Sequence, residues 1–364
     1  MRQGLGQMNA AAGGEAERFQ ARLAELLAGG ERVAHCTILR LVGSGPRRAG
    51  AKMLVRDSGE LSSTIGGGLL EARATAWGRE ILATGGAVCR RFVLTSAEAG
   101  GDGMTCGGEV EVLVERLEGD RAGVADFFAE VHHILASGAP GCLVLGLRQE
   151  GDAVVPERAL FAGERLVAAL PAEGGPFPED LFRTAPHAPA LIERAGVRYF
   201  LEPLAPPITV VVCGAGHIAA QLVPLCHLLG FRTVVVDDRA EFASPARFPL
   251  ASRLVVVSSF ARALDGLPLG RDTYVVVVTR GHAGDLAAVR EALRGRPGYI
   301  GMIGSWRKRE TVFEALTRDG CGSDDLARVV CPIGLSIEAE TPEEIAISIV
   351  AQLIATRAAR FPKS

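Results

Sequence analysis

The stretch Ile208-Thr209-Val210-Val211-Val212-Cys213-Gly214-Ala215-Gly216-His217-Ile218-Ala219 decides the fold of the second half of this chain. An unbroken apolar run with β-branched residues reads as a strand buried on both faces. It runs straight into Gly-Ala-Gly, and a helical pattern begins at His217. The set fits G-x-G-x-x-A in the context that gives that pattern meaning, between a strand and a helix. The first glycine permits a tight turn, the second lets a phosphate approach the backbone, and the small Ala219 lets helix and strand pack closely. Amides at the start of the helix then face any anion in the turn. Gly214, Gly216 and His217 are therefore candidate binding residues. His217, at a helix N-terminus, suits a hydrogen-bonding role or a structural capping one. Further along, a second apolar strand ends in Asp237-Asp238-Arg239. An acid here accepts hydrogen bonds from a ribose diol, whereas Arg239 suits a 2′-phosphate, so NAD and NADP are both admitted.

Outward from this turn, strands and helices alternate strictly. Strands are expected at 208–213, 232–237, 253–257, 274–279 and 299–303, with helices between them, among them 284–293 and 306–317. This is an α/β chain half, a Rossmann-type doubly wound parallel sheet spanning 208–364. Thr341, Pro342 and Glu344 mark the start of a last helix to Arg360 by a capping box. Thr279-Arg280-Gly281-His282, Gly304-Ser305 and Pro332-Ile333-Gly334 fall at carboxyl ends of strands, where such sheets bind ligands. His282 is a candidate general base oriented by Asp285.

Before the turn the pattern differs. Glu202-Pro203-Leu204-Ala205-Pro206-Pro207 reads as a linker, since prolines continue neither a helix nor a central strand. Residues 15–204 hold an opening helix at 15–28 and several short strands, at 32–42, 52–56, 61–65, 88–94 and 109–116, which is the signature of an α+β domain. The elements between Arg121 and Leu204 cannot be ordered from their pattern. Gly66-Gly67-Gly68 joins a strand to a helix, a second place where amides can cradle an anion, with Glu71 one turn into that helix. Arg47, Arg48 and Lys52 nearby offer charge-assisted bonds to phosphate. Cys106, in a glycine-rich loop, is the candidate reactive thiolate.

The composition narrows the partners. The 364 residues are 48% hydrophobic and 22% charged, with a net charge of −3. Basic residues are scattered, which argues against nucleic acid. No apolar run approaches the roughly 20 residues that span a bilayer, and no signal peptide is read. The 8 cysteines (36, 89, 106, 142, 213, 226, 321 and 331) form no CxxC pair and no metal-ligand spacing. A cytoplasmic protein with reduced thiols is expected.

Taken together, Gly43–Val55, Thr64–Glu71, Cys106–Val112, Gly214–His217, Val236–Arg239, Tyr299–Ser305, Pro332–Leu335 and Thr341–Ala346 resemble the XdhC/CoxI family of xanthine dehydrogenase accessory proteins. The resemblance implies a non-catalytic maturation chaperone. Such a protein binds the molybdenum cofactor (molybdopterin, a phosphorylated pyranopterin dithiolene), assists its sulfuration by a cysteine desulfurase and passes it to a molybdenum hydroxylase. A homo-oligomer, a dimer, is expected. Many relatives carry a cysteine directly after the Gly-Gly of the first-domain turn, where this chain has Leu69, so any thiol role falls to Cys106. Two other readings stand beside this one. One is an NAD(P)-dependent oxidoreductase that uses the Rossmann domain, with His282 or Cys106 in the chemistry; the ligand of that domain is NAD(P), another nucleotide or the pterin cofactor. The other is a scaffold bridging desulfurase and hydroxylase.

Overall fold

The computed structural model describes residues 14–93, 108–151, 153–171, 177–178, 181 and 188–359. The chain divides into two compact units, one of residues 16–206 and one of residues from Pro207 on together with Gly14 and Glu15.

The first unit contains helix α1 (Glu15–Ala28), strands β1 (Arg32–Val42), β2 (Lys52–Arg56) and β3 (Leu61–Ser63), helix α2 (Gly68–Thr84), β4 (Ala87–Val93), β5 (Glu109–Glu118), α3 (Val124–Ser137), β6 (Gly141–Glu150), β7 (Ala153–Ala162), β8 (Arg165–Leu170), β9 (Ala190–Arg194) and β10 (Val197–Leu204). They form two five-stranded sheets, ordered β3-β2-β1-β5-β4 and β8-β7-β6-β10-β9. All described pairings within them are antiparallel. Alternation along β1 sorts its side chains. Ala34, Cys36 and Ile38 pack with Leu70, Ala74 and Ile81 of α2. Val33 and Leu39 face the opposite way, into cores shared with the second sheet. The first sheet is thus covered on both faces, which is why β1 is buried from Val33 to Leu39 rather than on alternate residues.

The proposed linker needs correction. Glu202, Pro203 and Leu204 belong to β10 and pair with Leu143, Cys142 and Gly141 of β6. Proline is admitted because β9 pairs with β10 only as far as Leu201, so Pro203 lies where the strand has a single neighbour among the described residues.

The second unit contains β11 (Thr209–Cys213), α4 (His217–Leu228), β12 (Arg232–Asp237), β13 (Arg253–Val256), β14 (Thr273–Val277), α5 (His282–Arg294), β15 (Tyr299–Met302), α6 (Trp306–Arg318), α7 (Ser323–Ala327), β16 (Val329–Val330) and α8 (Pro342–Ala359). All pairings in its sheet are parallel. The order β13-β12-β11-β14-β15-β16 is the 3-2-1-4-5-6 order of dinucleotide-binding sheets. Alternate residues of β11 serve two cores. Val210 and Val212 pack with α4 and α8. Val211 and Cys213 pack with Ala288, Val289 and Ala292 of α5. This is the doubly wound arrangement expected of continuous valine runs. The capping box forms as read. Thr341 Oγ1 accepts from the Glu344 amide at 3.3 Å, and Glu344 accepts from the Thr341 amide at 3.0 Å. Among the described residues no helix is long and apolar enough to cross a membrane.

Candidate functional site

In the second unit, strand order reverses between β11 and β14, and ligands of such sheets lie outside the carboxyl ends of the strands at that point. Helix α4 starts there after Gly216, and α5 after Gly281. No side chain caps either helix. By contrast, Ser305 caps α6, its Oγ accepting from the Lys308 amide at 3.3 Å.

The glycines at this edge have different causes. Gly214 has φ +111°, and a Cβ there would sit 2.5 Å from the Val278 carbonyl oxygen. The fold itself requires that glycine. Gly216 has φ −78° and Gly281 has φ −170°, both ordinary for any residue. A Cβ on either would meet nothing within 4 Å. Neither strain nor packing explains these two. They leave backbone open to something that comes close to it.

The acids at the end of β12 also divide. Asp237 is 1% exposed. Its oxygens accept from the Ala215 amide at 2.7 Å, the Arg239 amide at 3.0 Å, and Arg239 Nε and Nη2 at 2.8 and 3.1 Å. Burial alone pushes the Asp237 carboxyl up, but these bonds hold it below the usual carboxylate range. Asp237 therefore braces the glycine turn and has no capacity left for a ribose, which corrects that expectation. Arg239 is held by the same fork and lies 3.6 Å from the centre of the Phe242 ring. Asp238 remains, with Oδ2 on Arg280 Nη2 at 3.0 Å.

His217 and His282 are exposed, each the first residue of its helix. Asp285 does not orient His282. It is fully buried, accepts from Thr279 Oγ1 at 2.7 Å and pairs with Lys308 Nζ. The dyad expected there does not form, because the carboxylate points into the floor of the edge. Lys308 was legible only as part of the basic run Arg307–Arg309. Gly281 was legible as a glycine between a strand and a helix, the same signal as Gly216.

In the first unit the structure brings two predicted segments together. A Cβ on Gly66 would strike the Pro46 ring at 2.4 Å, with Arg47 Cγ at 3.4 Å. The anion nest expected at Gly66–Gly68 is, however, already filled. The Gly66 amide donates to Thr64 Oγ1 at 3.0 Å, the Gly67 amide to Glu71 Oε2 at 3.1 Å, and Thr64 Oγ1 to the same Glu71 oxygen at 2.6 Å. A carboxylate occupies the place assigned to a phosphate. Lys52 is corrected as well. It is buried and pairs with Glu202, its Nζ also donating to the Gly50 carbonyl at 3.2 Å. Arg48 is exposed. Cys106 lies outside the described residues.

Lys52 belongs to a buried polar cluster that no local pattern announces. His35 Nδ1 meets Glu115 Oε1 at 2.9 Å, and Arg158 reaches the other oxygen of Glu115. His35, Arg158, Lys52 and Glu202 line a small cavity with Gln20 and Thr37, between strands of the two sheets.

Comparison with known proteins follows the same division. A model of the XdhC Rossmann domain matches residues 210–353, and a model of the XdhC and CoxI family matches residues 26–93. The chain belongs to the XdhC and CoxI family. A Bacillus subtilis (strain 168) family relative, named as a probable xanthine dehydrogenase subunit, is 26% identical over 347 residues, 93% of this chain and 97% of that protein. The uncharacterized protein YqeB of Escherichia coli (strain K12) is 32% identical over 144 residues. That match spans 40% of this chain and only 26% of YqeB. A crystal structure of a xanthine dehydrogenase from Bacillus halodurans is similar with a TM-score of 0.77 at 26% identity, covering 94% of this chain and 96% of that one. The XdhC-matched segments contain both glycine turns, while residues 94–209, which include Arg158 and Glu202, lie outside both models.

Proposed function

We propose that this XdhC-family protein is an accessory factor of a xanthine dehydrogenase-type molybdenum hydroxylase, and that it holds the molybdenum cofactor by its phosphate at the carboxyl edge of the Rossmann sheet. The observation that carries this is the pair Gly216 and Gly281, two glycines that neither backbone strain nor packing calls for, each opening an uncapped helix at the topological switch point. The relatives named for xanthine dehydrogenase supply the client. The phosphate end of the cofactor fits these residues. Amides at Gly216 and His217 would donate to phosphate oxygens, and the positive ends of α4 and α5 would offset its charge. Gly214 shapes the turn, and Asp237 fixes it through the Ala215 amide.

Among the described residues, the glycine turn of the first unit offers no comparable nest, since Thr64 and Glu71 hold the amides of Gly66 and Gly67. Arg48, next in sequence to the Arg47 that lies against Gly66, is exposed. When bound, the cofactor supplies the dithiolene that carries molybdenum. Cys106 is the thiol we assign to its sulfur chemistry, with a cysteine desulfurase as sulfur donor and the hydroxylase as acceptor. The test is anaerobic purification of the full chain, release of the bound small molecule and oxidation to a fluorescent pterin. Wild-type protein should yield the pterin and activate apo-hydroxylase. Gly216→Val should yield neither while keeping its fold. Equal pterin yield from the two proteins would move the cofactor away from this edge. Client activation without any pterin would favour a scaffold.

A further inference from the structure

Dinucleotide-binding sheets place a ribose-reading acid at the end of the second strand, and here two acids stand at that end. Their partners separate them. Asp237 is consumed by the Ala215 amide and by Arg239. Asp238 has a side chain that is 28% exposed. Its Oδ2 accepts from Arg280, whose side chain is itself 61% exposed. Its Oδ1 is buried from solvent and has no hydrogen-bond donor among the described residues, with Arg239 Nε at 3.7 Å. Asp238 is thus a carboxylate with acceptor capacity that the chain leaves unfilled, on the strand adjoining the Gly216 turn.

The cations point the same way. Recognition of a 2′-phosphate needs a free guanidinium. Arg239 is not free, being clamped on Asp237 and stacked on Phe242. Arg280 is neutralised by Asp238. A dianion brought to this position would meet the Asp238 carboxylate at close range and be repelled.

We infer that the crevice takes a phosphorylated ribonucleoside with an unsubstituted 2′-hydroxyl, its phosphate on the amides at Gly216 and Gly281 and its ribose diol on Asp238. This rests on the reading above that the edge holds a phosphate, and it adds the class of molecule attached. NAD and a nucleoside diphosphate share the chemistry, and so does a pterin extended by a nucleotide.

Calorimetry on the full chain tests it with four probes: ADP, NAD, NADP and inorganic pyrophosphate. ADP and NAD should bind at least tenfold more tightly than NADP and pyrophosphate, the size of effect expected of hydrogen bonds to a charged acceptor. Asp238→Ala, at a partly exposed position, should lose about tenfold for ADP and NAD and leave pyrophosphate unchanged. Gly216→Val should abolish binding of all four. NADP binding as tightly as NAD, or an Asp238→Ala protein that binds ADP like wild type, would overturn the ribose assignment. Pyrophosphate binding as tightly as ADP and lost in Gly216→Val would also overturn it, while leaving the phosphate reading intact. Failure of all four probes to bind would overturn both.

Discussion

Two glycine turns in this protein look alike as sequence and differ as chemistry. Gly66–Gly68 and Gly214–Gly216 each join a strand to a helix. The first turn is closed by its own neighbours, with Thr64 and Glu71 on its amides and Pro46 packed against Gly66. The second uses one glycine for the fold and leaves another without a structural reason. The same contrast runs through the two units. Buried charges of the first are paired among themselves, Lys52 with Glu202 and Glu115 with Arg158. At the strand ends of the second, Gly216, Gly281 and Asp238 keep unfilled capacity. A glycine run therefore signals where backbone bends. Whether it binds anything depends on who already holds its amides and its space.

The strongest test of this division is Gly214→Ala. The backbone there is left-handed, at φ +111°, and the new methyl would sit 2.5 Å from a carbonyl oxygen. Strain and overlap should together cost about 4 kcal/mol or more, and the second unit should unfold early or not form. Chemical denaturation followed by far-UV circular dichroism measures this. Wild-type stability would mean that Gly214, too, awaits explanation by a ligand.

The self-paired charges of the first unit predict acid lability. Burial lowers the His35 pKa below 6.5 despite its bond to Glu115, so the native imidazole is neutral. The unfolded chain takes up that proton first, and stability should start to fall as pH drops through 6.5. Burial pushes Glu115 up, but Arg158 and His35 outweigh it and hold the carboxyl at about 2 rather than 4.5. A depressed carboxyl stabilises above its unfolded value, so a further loss should follow between pH 4.5 and about 2. Together the two should remove on the order of a few kcal/mol. Denaturant midpoints measured from pH 7 to pH 3 should decline, and Glu115→Gln should flatten the lower part of the curve. A flat wild-type profile over that range would break the picture.

These contacts also show what could be read beforehand. Strand β12 is found where the valine run ends, at Asp237, and α1, β1 and β2 begin and end at the residues their patterns mark. In these segments periodicity and caps are local signals. The region from Arg121 to Leu204 resisted ordering because its buried strands carry polar residues whose partners lie far away in the chain. Arg158 interrupts β7 for the sake of Glu115, 43 residues earlier, and Glu202 interrupts β10 for Lys52, 150 residues earlier. The same limit applies at the site. The motif places Asp237 beside a ligand, yet its carboxylate is taken by an amide 22 residues upstream. The glycine turn of the first unit misled for a related reason, since Glu71, read as part of an anion site, is its plug.

That plug sets a smaller prediction. Glu71→Ala removes the acceptor of the Gly67 amide and of the Thr64 hydroxyl. The turn is partly solvated, so water replaces part of what is lost, and about 1 kcal/mol of stability should go. Nucleotide and pterin retention should not change. A variant that instead lost its ligand would return the first unit to the binding site.

The smallest expected change in stability is at Gly216, and it is the most discriminating. Gly216 is the N-cap of α4, with extended backbone and no side-chain cap. Serine is a preferred N-cap, and its hydroxyl can accept from an amide of the first turn. Gly216→Ser should thus leave the melting temperature unchanged or raise stability by a few tenths of a kcal/mol. Its side chain would at the same time enter the space that a Cβ finds empty and compete for the amides that a phosphate would use. Ligand affinity should fall at least tenfold with the fold intact, as measured by calorimetry beside a thermal melt. Gly214→Ala should do the reverse, destroying the fold rather than binding alone. If Gly216→Ser binds ADP and retains pterin like wild type, the open glycine serves no ligand, and the difference between the two turns is one of packing only.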